Sequence, residues 1–286
     1  MVVTIFGDVI IPHGGEVALV SLIEAASLVG ISELAIRSAV NRLADDGWLV
    51  SEAHGRCSIF SISEQGFLRS IVPMRRVYQC PDVQWTGQWN ILIAKEWDLE
   101  RDVYAQASHD LQWAGYGRVC DNVFIRPQID GDNMLCCAGS LLEKKVVCFM
   151  GSVKQCPING RIEEVINRVW DISTVAARYM AFNDCYSPLL EELSKSPSMR
   201  SAQAFALRLF MMHDFRRIRI IDPLLPLSLL PRDWDGIKAF DLARKIYQAL
   251  LPLSEHYITE FMNVRDGSMP AAQKSFYERF GGLSPT

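Results

Sequence analysis

Residues 32–62 read SELAIRSAVNRLADDGWLVSEAHGRCSIFSI, and this stretch decides the fold of the amino-terminal part. Ser32 is a good N-cap type, and Glu33 puts an acid in the turn that follows, where the helix dipole favours negative charge. Ile36, Ala39, Val40 and Leu43 recur at helical spacing and predict an apolar stripe turned to a core. Arg37, Ser38, Asn41 and Arg42 fall on the other faces. Gly47 is placed to close the helix in the left-handed conformation, so the helix runs to about Asp45. Residues 48–52 then read as a strand, His54-Gly55-Arg56 as a turn, and residues 58–62 as the returning strand of a hairpin.

Working outward, Gly14-Gly15 breaks the chain, residues 17–19 predict a short strand, and residues 21–28 predict a helix stopped at Val29-Gly30-Ile31. Helix, short turn, helix and hairpin give a winged helix-turn-helix over residues 1–70. In such a module the second helix enters a major groove, where Arg pairs with guanine and Asn with adenine, each through two bonds. The candidate DNA-binding residues are Ser32, Arg37, Ser38, Asn41 and Arg42 on that helix, with His54 and Arg56 at the hairpin tip. A solvated face of a protein-interaction module is the plainer alternative.

Residues 71–86 read as a link punctuated by Pro73, Arg75-Arg76 and Pro81, while residues 64–69 can continue as a helix. Strands are expected at residues 89–94, 119–126 (stopped by Pro127) and 145–150, and a helix at 99–114, which together suggest a ferredoxin-like domain over 87–160. Residues 161–286 are mostly helical, with helices at 165–185, 201–221 and 236–251 and a proline-rich break at 222–231. The fold class is therefore α+β: an N-terminal winged helix-turn-helix, a central ferredoxin-like domain and a C-terminal helical domain.

Composition narrows the function. The 286 residues are 49% hydrophobic and 22% charged, which excludes a disordered chain. The net charge of −4 removes the signal of a strongly basic nucleic-acid binder. Residues 1–70 hold four arginines (Arg37, Arg42, Arg56, Arg69) and no lysine against eight acids, among them Asp8, Glu16 and Glu52. One such module attracts phosphates weakly, and a dimer that doubles the contacts offsets this. No apolar run reaches the roughly 18–20 residues of a membrane span, and the start has no charged secretory n-region. The eight cysteines form no Cys-x-x-Cys pair, which fits a reducing compartment, and Cys136-Cys137 reads as buried thiol. The five histidines carry no metal-ligand motif, and no cofactor is implied.

A second feature lies in the helix at 201–221. Its basic residues are Arg208, Arg216, Arg217 and Arg219, and Asp214 is its only acid. Arginine forks suit phosphate and carboxylate, so an anionic ligand is one reading; salt bridges to acids such as Asp222 or Asp235 are the other. Trp234 is either a pocket wall or core. Enzyme signatures are missing: no Gly-x-Ser-x-Gly, phosphate-binding Gly loop or His-Glu-x-x-His occurs, and His213-Asp214 point apart on a helix. A nuclease-like or CoA-processing enzyme on the ferredoxin-like part has only scattered acids to work with: Asp98, Asp102, Asp121, Asp130 and Asp132.

Arg37-Ser38-Ala39-Val40-Asn41-Arg42-Leu43 leading to Gly47-Trp48-Leu49, then Asp222-Pro223-Leu224-Leu225-Pro226, form an ordered run of motifs that resembles the PaaX-type transcriptional repressors of bacterial phenylacetate degradation, over nearly the whole chain. Phe6-Gly7-Asp8 and Gly14-Gly15-Glu16 fit that family, as does the turn Gly55-Arg56-Cys57-Ser58. Trp85-Thr86-Gly87-Gln88-Trp89, Leu229-Leu230-Pro231 and Arg279-Phe280-Gly281-Gly282-Leu283 continue the match. Departures are Asp45-Asp46, where a basic-acidic pair is common, Ala18 in place of a Trp, and the few residues before Ile5. The resemblance implies a cytoplasmic homodimer on double-stranded operator DNA, released by an aryl-acetyl-CoA effector, typically phenylacetyl-CoA. Under that implication His213, Arg216, Arg217, Arg219 and Trp234 become candidate effector-binding residues, with Arg208 beside them.

Overall fold

A computed structural model of the chain describes residues 1–55, 57–81, 84–94, 104, 108, 111, 112, 114–129, 146–152, 162–195 and 198–283. Arg56, His109, Cys136, Cys137, Cys156, Asp98, Asp102, Asp130 and Asp132 lie outside the described residues, as does most of the helix expected at 99–114. The chain is α+β. It gathers into two compact units, one made of Met1–Gln79, Phe182–Arg217 and Ala239–Thr286, the other of Cys80–Ala181 and Ile218–Lys238. The three consecutive domains expected at 1–70, 87–160 and 161–286 thus meet a different division: the unit holding the amino terminus is assembled from three separated stretches.

The chain starts with a helical run. Helix α1 (Val2–Ile5) passes into a π turn (Phe6–Ile10) and a 3-10 turn (Ile11–His13). Strand β1 (Glu16–Ala18) and helix α2 (Leu19–Ser27) follow, each shifted one or two residues toward the amino terminus from its expected place. Helix α3 (Glu33–Asp45) begins where the cap predicts: the Ala35 amide donates to the Ser32 hydroxyl at 3.4 Å. It ends in paired bonds, Gly47 N–H to Ala44 C=O at 3.0 Å and Trp48 N–H to Leu43 C=O at 2.8 Å. That Schellman closure needs the φ of +72° that glycine adopts freely. Strands β2 (Leu49–His54) and β3 (Cys57–Ile62) pair antiparallel, and β1 adds to β3, giving the order β1-β3-β2.

Helix α4 (Glu64–Tyr78) runs through Pro73 and covers the first part of the expected link. A helix-interior proline removes one donor and crowds one carbonyl, and burial of Ser70 and Val77 on one face offsets that local loss. Ser63 caps α4 at Gly66 N (2.8 Å) and also donates to Gly47 O (2.7 Å). Gly66 permits the approach, because a Cβ there would sit 2.2 Å from the Trp48 carbonyl oxygen.

Next come β4 (Trp85–Ala94), β5 (Gly117–Cys120), β6 (Val123–Ile129) and β7 (Val146–Gly151), in the sheet order β5-β6-β4-β7 with every pair antiparallel. The single strand expected at 119–126 is in fact two, separated by a turn at Asp121-Asn122. Pro127 does not stop β6; it lies opposite Trp89, beside the register shift between Trp85 and Trp89, where the ladder is already irregular. Leu92, Leu111, Tyr116 and Phe124 form the core of this unit. The Trp170 indole stacks on Trp89 at 6.2 Å and donates to Gly115 O at 3.2 Å.

The helical remainder comprises α5 (Ile162–Trp170), α6 (Ile172–Ser194), α7 (Ser201–Ile221) and α8 (Asp235–Phe261). The helix expected at 165–185 is broken at Asp171, whose φ of +46° interrupts the ladder. The α7 bounds agree with the sequence. Helix α8 runs past Pro252, carried by the buried Leu251, Ser254, Tyr257 and Ile258. A two-strand hairpin, β8 (Asn263–Val264) and β9 (Gly267–Ser268), and a 3-10 segment (Lys274–Gly281) complete the chain.

One apolar core joins these stretches in the first unit. Ile5, Phe6, Val9, Leu22, Ile36, Val40, Leu49 and Phe60 pack with Phe205, Leu209, Tyr257, Ile258, Met262 and Met269. Inside the same unit lies a charged network centred on Asp8, which is 2% exposed. Arg208 Nε reaches Asp8 Oδ2 at 3.0 Å, Arg279 Nη1 reaches Oδ1 at 3.1 Å, and the Tyr78 and Tyr247 hydroxyls donate to Oδ1 at 2.5 and 3.1 Å. Arg208 also donates to Glu255 (2.6 Å) and Ser254 (3.0 Å), and Glu255 meets His13 Nε2 at 2.9 Å. Burial pushes both tyrosine hydroxyls up, so they stay protonated donors.

Burial alone would raise the Glu255 carboxyl, but the His13 hydrogen bond and the Arg208 guanidinium bring it down to about 2. An ordinary glutamate titrates at 4.5, so the stability this group contributes is fully present above pH 4.5 and is lost as pH falls toward 2. Its full size is on the order of 3 kcal/mol. We expect Glu255→Gln to lower the urea midpoint at neutral pH and to flatten its decline across that acid window. Parallel declines in variant and parent would contradict the assignment. We also expect residues 1–79 expressed alone to lack cooperative unfolding, because Phe205, Leu209, Tyr257, Ile258, Met262 and Met269, which complete their core, lie beyond residue 200; a sharp thermal transition would show otherwise.

Candidate nucleic-acid interface

Helix α3 is held by its inner stripe: Ile36 and Val40 are fully buried, with Ala39 and Leu43 half-buried against the same core. This leaves Ser32, Arg37, Ser38, Asn41 and Arg42 exposed on the outer faces, all on one rigid element. Arg37 is partly engaged, its Nη2 lying 2.7 Å from Glu33 Oε1 one turn earlier. Such exposed i,i+4 pairs are worth about 0.3–0.5 kcal/mol, so a phosphate or a base edge displaces Glu33 at small cost. Leu34, 80% exposed one turn from Arg37 and Ser38, completes the face. The sequence reading missed it; the signal was an apolar residue off the stripe in an otherwise polar surface. Apolar side chains at such positions suit thymine methyl groups.

His54 is exposed at the end of β2, beside Gly55 in the hairpin turn. The same strand carries Glu52, which accepts from Arg265 Nη2 at 2.6 Å; Arg265 Nε also lies 3.5 Å from Glu16. Three of the eight acids counted in residues 1–70, Asp8, Glu16 and Glu52, are thus paired with arginines from the carboxy-terminal stretches of the same unit. The acidity of that segment overstates the repulsion a phosphate backbone would meet.

The second residue set is divided. Arg208 is the buried partner of Asp8 and Glu255, held above the usual arginine range by those carboxylates against the opposing effect of burial. Arg219 is 1% exposed with Nη1 3.7 Å from Asp222 Oδ2, the salt bridge the sequence offered as its alternative. Asp222 also accepts from Tyr179 (2.5 Å) and from the Leu224 amide (2.8 Å). Trp234 is buried edge-on against Tyr179, with ring centroids 5.7 Å apart. His213 shares a 2.9 Å hydrogen bond with Thr4, and Asp214 accepts from Tyr186 at 2.8 Å, so the neighbouring pair serves two different partners. Burial holds the His213 imidazole below its ordinary value. Arg216 is half-buried and Arg217 exposed, both in the unit of α3, whereas Arg219 and Trp234 belong to the other unit.

Among the described residues no cluster of metal-ligating side chains occurs, and no helix is long and apolar enough to cross a membrane. Residues 1–66 match the family described as PaaX-like protein, and residues 170–260 match the PaaX-like protein C-terminal domain. A curated relative, the transcriptional repressor PaaX of Escherichia coli strain K12, is 28% identical, with 99% of this chain and 90% of that protein covered. The chain belongs to the PaaX-like family. Among solved structures, the uncharacterized protein Rv0674 from Mycobacterium tuberculosis superposes with a TM-score of 0.50 at 20% identity, over 88% of this chain and 94% of that one, which speaks to the fold alone.

The cap at Ser32 gives a direct check on the helix. Its hydrogen bond is long, so we expect Ser32→Ala to cost about 0.5–1 kcal/mol in urea denaturation. A cost near zero would mean that the α3 start is held by packing alone.

Proposed function

We propose that this protein is a transcriptional repressor that binds double-stranded operator DNA through the outer face of α3. The observation that carries the reading is that face itself: Arg37, Ser38, Asn41 and Arg42 stand exposed on a helix fixed from behind, in a chain matched end to end by a repressor. The α2–α3 pair followed by the β2–β3 hairpin supports reading residues 1–70 as a winged helix-turn-helix with His54 and Arg56 at its wing. The β5-β6-β4-β7 order, antiparallel throughout, supports a ferredoxin-like reading of the second unit. The protein acts as a cytoplasmic homodimer on a palindromic site, without catalysis. An aryl-acetyl-CoA such as phenylacetyl-CoA is its effector, and it derepresses by preferring the geometry that does not fit the half-sites. Of the proposed effector residues, Arg216 and Arg217 retain accessible guanidinium groups, which favours them over the buried Arg219.

Titration of the protein on its own promoter fragment tests the reading, with phenylacetyl-CoA, free CoA and phenylacetate added in turn. We expect salt-sensitive specific binding that only the thioester abolishes. Arg37→Ala or Asn41→Ala is expected to cost about 1–3 kcal/mol of specific affinity if either reads a base. Unchanged affinity in both variants would remove α3 from the interface.

A further inference from the structure

Behind α3 lies an apolar groove of about 510 Å³, including its open mouth. Val3 and Phe6 of the first helical run, Leu43 and Trp48, and Met74 of α4 line it, and Arg216 of α7 is the one charged side chain among the described lining residues. All of these residues belong to one compact unit. Ser70, the other polar group on the wall, donates its hydroxyl to Phe67 O at 2.8 Å. Arg216 differs from its neighbours on α7: Arg208 and Arg219 are each buried on a carboxylate, whereas Arg216 makes no hydrogen bond or ion pair among the described residues. Its guanidinium is open to the groove, so an acceptor oxygen brought there gains a charge-assisted hydrogen bond.

We propose that this groove seats the acyl end of the effector, with the apolar ring or chain against Phe6, Trp48 and Met74 and the carbonyl oxygen accepting from Arg216. An apolar wall with one convergent donor is the usual make-up of a small-molecule site, here open at its mouth so that the remainder of the thioester stays outside. The proposal rests on the effector reading above and adds where the effector acts. Leu43 and Trp48 are the two ends of the 2.8 Å bond that closes α3 and aims the chain into β2. A ligand between them and Met74 therefore presses on the element that carries Arg37 and Asn41, and it shifts DNA affinity by its preference between two settings of that helix end.

The test uses the full chain, phenylacetyl-CoA as probe, and two variants, Arg216→Gln, which removes the donor, and Met74→Trp, which fills the groove. Calorimetry reads thioester binding, and promoter titration reads DNA affinity and shows that each variant is folded. We expect thioester affinity lower by roughly tenfold or more in both variants, with DNA affinity within roughly threefold of the parent for Arg216→Gln and shifted for Met74→Trp in the direction in which the thioester shifts the parent. If the parent is released by the thioester and both variants are released at the same concentrations, the groove is not the seat, while the repressor reading stands. If the parent binds its promoter but takes up no thioester, both the effector reading and the groove assignment fail. If the parent ignores its promoter, the repressor reading fails, and calorimetry on parent and variants still decides whether the groove holds the thioester.

Discussion

A single carboxylate sets the terms for the unit that holds the amino terminus. Asp8 is buried between the guanidinium groups of Arg208 and Arg279, with the hydroxyls of Tyr78 and Tyr247 on the same oxygen. Two buried arginines would repel one another, and burying either alone would be prohibitive; the shared anion makes both tolerable. Asp8 lies within the π turn Phe6–Ile10, so the widened turn that carries it is also the one packed against both walls of the core. Fixing Asp8 fixes the first helical run, and that run is part of the surface on which α3 rests.

The α3 element was fully legible because each of its signals is local. Ser32, the Ile36–Leu43 stripe and Gly47 are all decided within one helix length. Residues 2–13 gave no signal, since Val2, Ile5, Phe6, Val9 and Ile10 are buried and too few polar positions remain to mark a face. Pro73 and Pro252 misled for a related reason: each removes one backbone bond, whereas the surrounding helix keeps all its packing. Asp171 broke a predicted helix through a positive φ, which an aspartate adopts more readily than most residues but does not announce.

The candidate site divides along the same line. The exposed face of α3 could be read from spacing, and the Arg219–Asp222 pair from its three-residue separation. Arg208 could not be assigned, because its partner lies 200 residues away. Nor could the charge of residues 1–70 be judged from that segment, because Arg265 pairs with Glu16 and Glu52 from the opposite end of the chain. Electrostatics belongs to the folded unit, and only contiguous stretches show it in sequence.

That assembly from both chain ends has a consequence for how the protein is made. Asp8 leaves the ribosome early, and Arg279 follows 271 residues later, a wait of roughly 15–55 s at ordinary translation speeds. Until then the nascent chain holds α3 without the full set of core and charge partners that come from beyond residue 200. A prematurely ended polypeptide therefore carries α3 on a unit whose buried aspartate still lacks its last cationic partner.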